Sequence, residues 1–263
     1  MVQINRVQPK RNLGQHFLKD SGIAGKIASS LTGTGYDSVL EIGPGMGILT
    51  GFLLKRGFSD FRVIEIDNES VHYLQTHFPE LNNIIRGDFL SMDLDSYFPE
   101  KVAIIGNFPY NISTQIFFKV LKHREKVVEI AGMLQKEVAE RICAGPGSKT
   151  YGILSVLLQA YYKTEYLFTV PEHVFSPPPK VKSGVIRLIR NEVVKLDCNE
   201  VLFFRVIKAC FNQRRKTLRN SVRSAFNLKR DDYSEFGLRP EQLSVNQFVR
   251  LTNWIEKNAV LSE

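Results

Sequence analysis

Between residues 38 and 135 the chain alternates short apolar runs with amphipathic segments, and this alternation limits the fold more than any other feature. Residues 38–42 (SVLEI), 61–66, 83–86, 102–106 and 127–135 (VVEIAGMLQ) read as strands. Residues 48–56, 68–78, 114–121 and 136–144 read as helices, as does a stretch from Ser21 with Ile23, Ile27 and Leu31 on one face. Strand alternating with helix at this spacing yields right-handed βαβ units and a parallel sheet. After Gly145-Pro146-Gly147 the pattern changes. A helix is expected over 151–159, then two strands over 161–169 and 181–189 around the proline-rich link Phe175-Ser176-Pro177-Pro178-Pro179. From Asn199 onward the periodicity is helical. The expected architecture is an α/β domain over 1–190, with a mostly parallel sheet and an antiparallel strand late in its order, followed by a small all-α domain over 191–263.

The ends of these strands carry the chemistry. The fourth run stops in GNFPYNIS, residues 106–113. Phe108 precedes a proline and is pushed to an extended conformation. Pro109 has a fixed φ and no N–H, so the turn is stiff. It presents the planar amide of Asn107, the carbonyls of Phe108 and Pro109, and the flat face of Tyr110. Acceptors plus a ring suit a planar group bearing an amino substituent, as in the reading of a base flipped out of its strand. Taken alone, N-x-P-Y is equally well a strand-to-helix turn whose tyrosine packs in the core.

Its neighbours favour the first reading. The first strand runs into the glycine-rich Gly43-Pro44-Gly45-Met46-Gly47, where glycine lets backbone approach a ligand. The spacing is G-x-G-x-G rather than the G-x-G-x-x-G of dinucleotide binders, and no Walker lysine follows. Glu65 ends the second strand, where a carboxylate can accept both ribose hydroxyls; Asp67 is its rival. Asp88 follows the third strand and can accept from an adenine amino group. Each acid alone reads as a solvated loop residue. Four consecutive strand ends carrying glycine, acid, acid and amide describe a line of polar groups along one sheet edge, where α/β sheets bind ligands.

Composition narrows the partners. The chain has 263 residues with a net charge of +8, and its pI near 9.3 favours an anionic partner such as nucleic acid. Cys143, Cys198 and Cys210 are odd in number and lack C-x-x-C spacing, so neither a disulfide frame nor a metal site is expected. No signal-like segment and no run of membrane-spanning length is present, so the protein is expected to be cytoplasmic, with no membrane partner. Between Arg205 and Arg230 stand nine basic residues and no acid: Arg205, Lys208, Arg214, Arg215, Lys216, Arg219, Arg223, Lys229 and Arg230. Apolar residues run through them at helical spacing. With no acids for i,i+4 pairing, this amphipathic basic segment is expected to contact RNA backbone through Arg214, Arg215, Lys216, Arg219 and Arg223. Lys10, Arg11, Lys180 and Lys182 could extend the same surface.

The order glycine loop, acid, acid, N-F-P-Y resembles the S-adenosylmethionine-dependent methyltransferases that modify an amino nitrogen of a base. NLGQHFL (12–18), EIGPGMGILT (41–50), VIEID (63–67), GD (87–88), GNFPYNIS (106–113), MLQKEVAERI (133–142), FSPPPKVKS (175–183) and FNQRRKTLRNS (211–221) are all similar to stretches of the ribosomal RNA adenine dimethyltransferases, the KsgA/RsmA enzymes, and stand in the same order. The resemblance covers nearly the whole chain, and the last three stretches are not shared with generic methyltransferases. It implies a Rossmann-like class I methyltransferase sheet and dimethylation of N6 on two adjacent adenines near the 3′ end of small-subunit (16S) ribosomal RNA during ribosome assembly. The partner implied is the small subunit or its assembly intermediate, and the enzyme is expected to be a monomer. The cofactor residues implied are His16, Leu18, Gly43, Glu65, Asp88 and Asn107, and the catalytic residues Asn107, Phe108, Pro109 and Tyr110, with Phe175 for the second face of the base. His16 departs from the asparagine some relatives carry. A DNA or protein-amide methyltransferase leaves FSPPPKVKS and NQRRKTLRNS unexplained. A non-catalytic RNA-binding protein has no need of the intact acids, and a large-subunit resistance methyltransferase is the nearest rival.

Overall fold

A computed structural model describes residues 7–260. It divides into two compact units, 1–139 with 164–190 and 140–163 with 191–263.

The first unit is built on a sheet. The strands are β1 (Phe17–Leu18), β2 (Ser38–Ile42), β3 (Asp60–Glu65), β4 (Ile84–Arg86), β5 (Val102–Asn107), β6 (Val127–Gln135), β7 (Tyr162–Val170), β8 (Phe175–Ser176) and β9 (Ser183–Arg190). Seven of them form one sheet in the order β4-β3-β2-β5-β6-β9-β7. The pairs from β4 through β6 are parallel, and β9 is antiparallel to β6. This is the late antiparallel strand expected from the sequence. β2 and the body of β5 are buried along their whole length, which is why they read as continuous apolar runs rather than alternating ones. The helices are α1 (Ser21–Ala28), α2 (Ile48–Lys55), α3 (Asn68–His77), the one-turn α4 (Leu94–Tyr97) and α5 (Ser113–Lys122). Asp20 caps α1 by accepting from Ile23 N–H at 2.9 Å, and Asp67 caps α3. β1 and β8 form a separate two-stranded pair, Phe17 opposite Ser176 and Leu18 opposite Phe175. Two residues each are too few to show a period, so neither strand was expected.

The second unit is helical: α7 (Ile153–Gln159), α8 (Glu200–Asn212), α9 (Leu218–Arg223) and α10 (Val245–Asn258). α6 (Lys136–Cys143) and β7 cross the division. A single boundary at residue 190 therefore needs correction, because 140–163 belongs with the C-terminal helices. The cause is visible in α7, whose ILSVLLQ sequence is buried on all sides from Leu154 to Leu158 and needs helices around it. Gln159 Nε2 donates to the carbonyls of Ile142 and Ala144 within the same unit. Ser244 and Gln247 form a reciprocal cap that starts α10. Tyr233, Phe236 and Trp254 pack as an aromatic cluster, with centroids 5.1–5.5 Å apart. Among the described residues no helix is long and apolar enough to cross a membrane.

Candidate active site

The turn after β5 is anchored from below. Phe108 is fully buried, its N–H donates to the Met133 carbonyl at 2.9 Å, and its ring meets Phe117 edge-on at 6.0 Å. A Cβ on Gly132 would stand 2.5 Å from that ring, so β6 needs glycine there to let the phenylalanine in. Anchored in this way, Asn107, Pro109 and Tyr110 face a cavity at the carboxyl edge of the sheet. Its lining also holds His16, Gly43, Glu65 and Asp88. The structure thus brings eight of the ten expected cofactor and catalytic residues to one place, the eighth being Phe108.

The two others lie elsewhere. Leu18 is buried and lines a smaller hollow behind the glycine loop, which shares Gly43, Gly45, Phe17 and Asn107 with the main cavity. Phe175 is 1% exposed, sits opposite Leu18 in the β1–β8 pair and belongs to the apolar core. It does not line the cavity and packs as a core residue.

Glu65 and Asp67 separate by their partners. Asp67 caps α3, accepts from Ser70 Oγ at 2.9 Å and pairs with Lys10, and it is absent from the cavity lining. Glu65 is 4% exposed and lines the cavity. Its carboxylate accepts from Gly45 N–H at 3.1 Å and Asp67 N–H at 2.9 Å. Burial pushes its pKa up, and the two N–H donors oppose the shift. Gly45 makes this possible: its φ is 55°, and a Cβ would fall 2.8 Å from the Phe17 ring. Beneath the loop, Glu41 is buried and accepts from Thr50 Oγ1 at 2.8 Å. Burial pushes its carboxyl up to about 8, against the Thr50 hydrogen bond and aided by the charge of Glu65. Burial thus favours the protonated form of Glu41 at a pH where an exposed glutamate is ionised. Nothing in its E-I-G context marks it as different from any strand-end acid.

Asp88 opens a loop held by Lys119 of α5. The Lys119 ammonium donates to the carbonyls of Phe89 at 2.6 Å, Leu90 at 3.0 Å and Met92. Burial lowers its pKa, with the charge of Asp88 opposing. Sequence reading missed this lysine because its partners are backbone atoms 27–30 residues away.

At the turn itself, Asn107 Nδ2 donates to the His16 carbonyl at 2.9 Å. A carbonyl only accepts, so the NH2 side of the amide is fixed and Oδ1 is the atom left for a ligand. The Pro109 carbonyl already accepts from Ile112 N–H at 3.2 Å. The His16 ring stacks on Tyr110, with centroids 5.4 Å apart and planes 30° apart, and its Nδ1 donates to the Pro177 carbonyl at 2.8 Å. Tyr110 and Ser183 hydroxyls share a hydrogen bond of 2.5 Å.

The basic stretch differs from its expectation. It is not one helix: a turn at 213–217 separates α8 from α9. Acids from outside the counted window also return to it. Asp231 pairs with Arg219 and with Arg223, the latter at 2.9 Å; Asp232 pairs with Arg230, and Glu241 lies 3.9 Å from Arg214. Arg214 also donates to the Ser148 carbonyl. Arg215 and Lys216 are exposed in the turn and have no ion-pair partner among the described residues. Lys10, grouped from sequence with the basic surface, is tied to Asp67 and Glu69.

The donor set fits S-adenosylmethionine: a glycine loop open to backbone approach, a buried carboxylate for a ribose, a second acid for an amino group, and an amide at the turn. No group of three or more His, Cys, Asp or Glu able to hold a metal occurs among the described residues. A family model described as ribosomal RNA adenine dimethylase matches residues 6–257. The ribosomal RNA small subunit methyltransferase A of Cytophaga hutchinsonii is 58% identical over 96% of this chain and 99% of its own length. That of Parabacteroides distasonis is 59% identical over 94% of this chain and 93% of its own. Among solved structures, a dimethyladenosine transferase from Plasmodium falciparum superposes with a TM-score of 0.77 at 26% identity, over 93% of this chain and all of that one. The 23S rRNA methyltransferase ErmE (TM-score 0.66, 24% identity, 91% of this chain and 99% of that one) shares the fold. With a model matched over nearly all its length and relatives more than half identical, the chain belongs to the ribosomal RNA adenine dimethylase family.

Proposed function

We infer that this chain transfers methyl groups from S-adenosylmethionine to the N6 of two adjacent adenines near the 3′ end of small-subunit ribosomal RNA, giving N6,N6-dimethyladenine during ribosome assembly. The observation that carries the reading is the fixed amide of Asn107, whose Oδ1 is left to accept beside the Tyr110 ring and the acids of the sheet edge.

When bound, S-adenosylmethionine supplies a methyl group already activated on sulfur. Glu65 would hold its ribose and Asp88 its adenine amino group, and the loop at Gly43 would let the backbone come close to it. The protein's own task is orientation, which can supply about 7–11 kcal/mol. An adenine N6 is a weak nucleophile because its lone pair is delocalised into the ring. Asn107 Oδ1 and the Phe108 carbonyl accept its hydrogens and favour a pyramidal nitrogen with the lone pair exposed. Tyr110 stacks on the base. The nitrogen loses its proton to water after transfer, so no side chain is assigned as general base. The helical unit contacts RNA backbone chiefly through Arg215 and Lys216, which position the RNA while the turn reads the base. A pre-subunit particle is the favoured target, since a bare loop lacks the shape cues RNA-binding proteins use. The enzyme acts as a cytoplasmic monomer in this reading.

The test is transfer of labelled methyl to unmethylated small subunits, with large subunits and DNA alongside. Label confined to small-subunit RNA as dimethyladenine is expected; label in large-subunit RNA or DNA, or none anywhere, would overturn the reading. Tyr110→Ala should bind cofactor and lose transfer.

A further inference from the structure

The FSPPPKVKS stretch begins in the core, where Phe175 packs. Two of its atoms nevertheless reach the acceptor turn. The Pro177 carbonyl accepts from His16 Nδ1 at 2.8 Å, and Ser183 Oγ bonds the Tyr110 hydroxyl at 2.5 Å. The His16 carbonyl accepts from Asn107 Nδ2, and the His16 ring lies on Tyr110. Asn107, His16, Tyr110, Pro177 and Ser183 therefore form one connected set around the turn.

We propose that Ser183 is a positioning residue for methyl transfer, holding the Tyr110 ring in place for the acceptor base to stack on it. The proposal rests on the function inferred above. A tyrosine ring is free to turn about its Cβ–Cγ bond, where the torsional wells are broad. The hydroxyl lies on that axis, so its hydrogen bond stops the ring from swinging about Cα–Cβ, while the His16 ring against one face limits the turn about Cβ–Cγ before a base arrives. Fixing a side chain in advance lowers the entropy lost on binding. Ser183 is suited to the task because it does not move: it is fully buried, opens β9, and stands opposite Gln135 of β6 in the sheet. A site held by sheet residues is more exact than one held by loops. Burial raises the Tyr110 pKa, so its phenol is neutral and keeps its hydrogen. His16, pinned by Pro177, backs one face and leaves the other for the base.

The experiment is a double-mutant cycle with Ser183→Ala and Tyr110→Phe. It reads kcat on small subunits, the Kd for S-adenosylmethionine and Tm. Each single variant should lower kcat about tenfold and keep the cofactor Kd within about twofold, since sub-ångström misplacement of a reacting partner costs rate rather than cofactor affinity. The double variant should be no slower than either single one, because both remove the same bond. A merely structural serine gives additive losses, or a lowered Tm with unchanged kcat; either result overturns the proposal. If Ser183→Ala does not fold, Tyr110→Phe alone decides: full kcat in that variant overturns it. An active wild type with a wild-type-like Ser183→Ala removes this proposal and leaves the function standing, whereas a wild type that labels no RNA removes the function itself.

Discussion

The acceptor turn and the basic stretch use polar side chains in opposite ways. At the turn, side chains are held by uncharged partners: Asn107 by a backbone carbonyl, Tyr110 by a serine hydroxyl, His16 by another carbonyl. In the basic stretch, exposed arginines are held by carboxylates, Asp231 serving two of them. Bonds of the first kind depend on geometry and hardly on salt. Those of the second kind are weak at a surface and screened by ions. What matters at the turn is where each atom is placed; what matters in the helical unit is which charges remain after pairing.

The contrast can be broken in four ways. The largest effect is expected at the turn, where Asn107→Ala should cut kcat by about 10²–10³-fold or more, as for other fixed polar groups acting on a developing charge. Radiolabel transfer at saturating cofactor measures it, and a loss below tenfold would mean that the amide only shapes the loop. Next, Arg215→Gln with Lys216→Gln should weaken RNA binding and reduce the log–log salt slope by roughly 0.7–0.9 per charge. The same change at Arg219 and Arg223 should do clearly less, because Asp231 already neutralises part of that pair. Equal slopes for the two double variants would dissolve the distinction between paired and unpaired charge. Third, Asp231→Asn should tighten RNA binding a few-fold by freeing those two arginines; weaker binding would show that the acid positions them instead.

The smallest effect concerns stability. Glu41 has its carboxyl raised from 4.5 to about 8, so between those values the folded state holds a proton that the unfolded chain has released. Stability contributed by this group is present below about pH 4.5 and is lost as pH rises to about 8. Glu41→Gln should flatten the fall in Tm between pH 5.5 and 8. An unchanged slope would place the carboxylate's charge elsewhere.

Much of this was legible in the sequence because the signals are local. The strand over 38–42 and the one over 127–135 fall where their apolar runs do, and N-F-P-Y fixes its own backbone through Pro109. Glycine loop, Glu65, Asp88 and Asn107 converge because successive parallel strands end at one edge. The misreadings have a common cause. The stacking role of Phe175 comes from the family resemblance alone, and no local signal announces its burial opposite Leu18. The basic stretch was judged on i,i+4 spacing, while its acids return from beyond its last arginine. The 140–163 segment follows the sheet in sequence, yet its helix, buried from Leu154 to Leu158, could be satisfied only among other helices. Lys119 has no sequence signature, and the stretches that contain Glu41 and Ser183 do not show which partners those two residues reach, since only the fold supplies them.

The contacts that wall the cavity also set when the protein becomes competent. His16 and Pro177 are 161 residues apart, Asn107 and His16 91, Tyr110 and Ser183 73. The parallel core from β2 to β6 needs nothing beyond residue 135, whereas β1 cannot dock until β8 exists, nor Tyr110 be held until β9 is laid beside β6. Closing such long loops comes late in folding. A chain growing from its N-terminus therefore makes the parallel core of its sheet well before it makes its site, and the chemistry of the turn is withheld until the last strand of the first unit is in register.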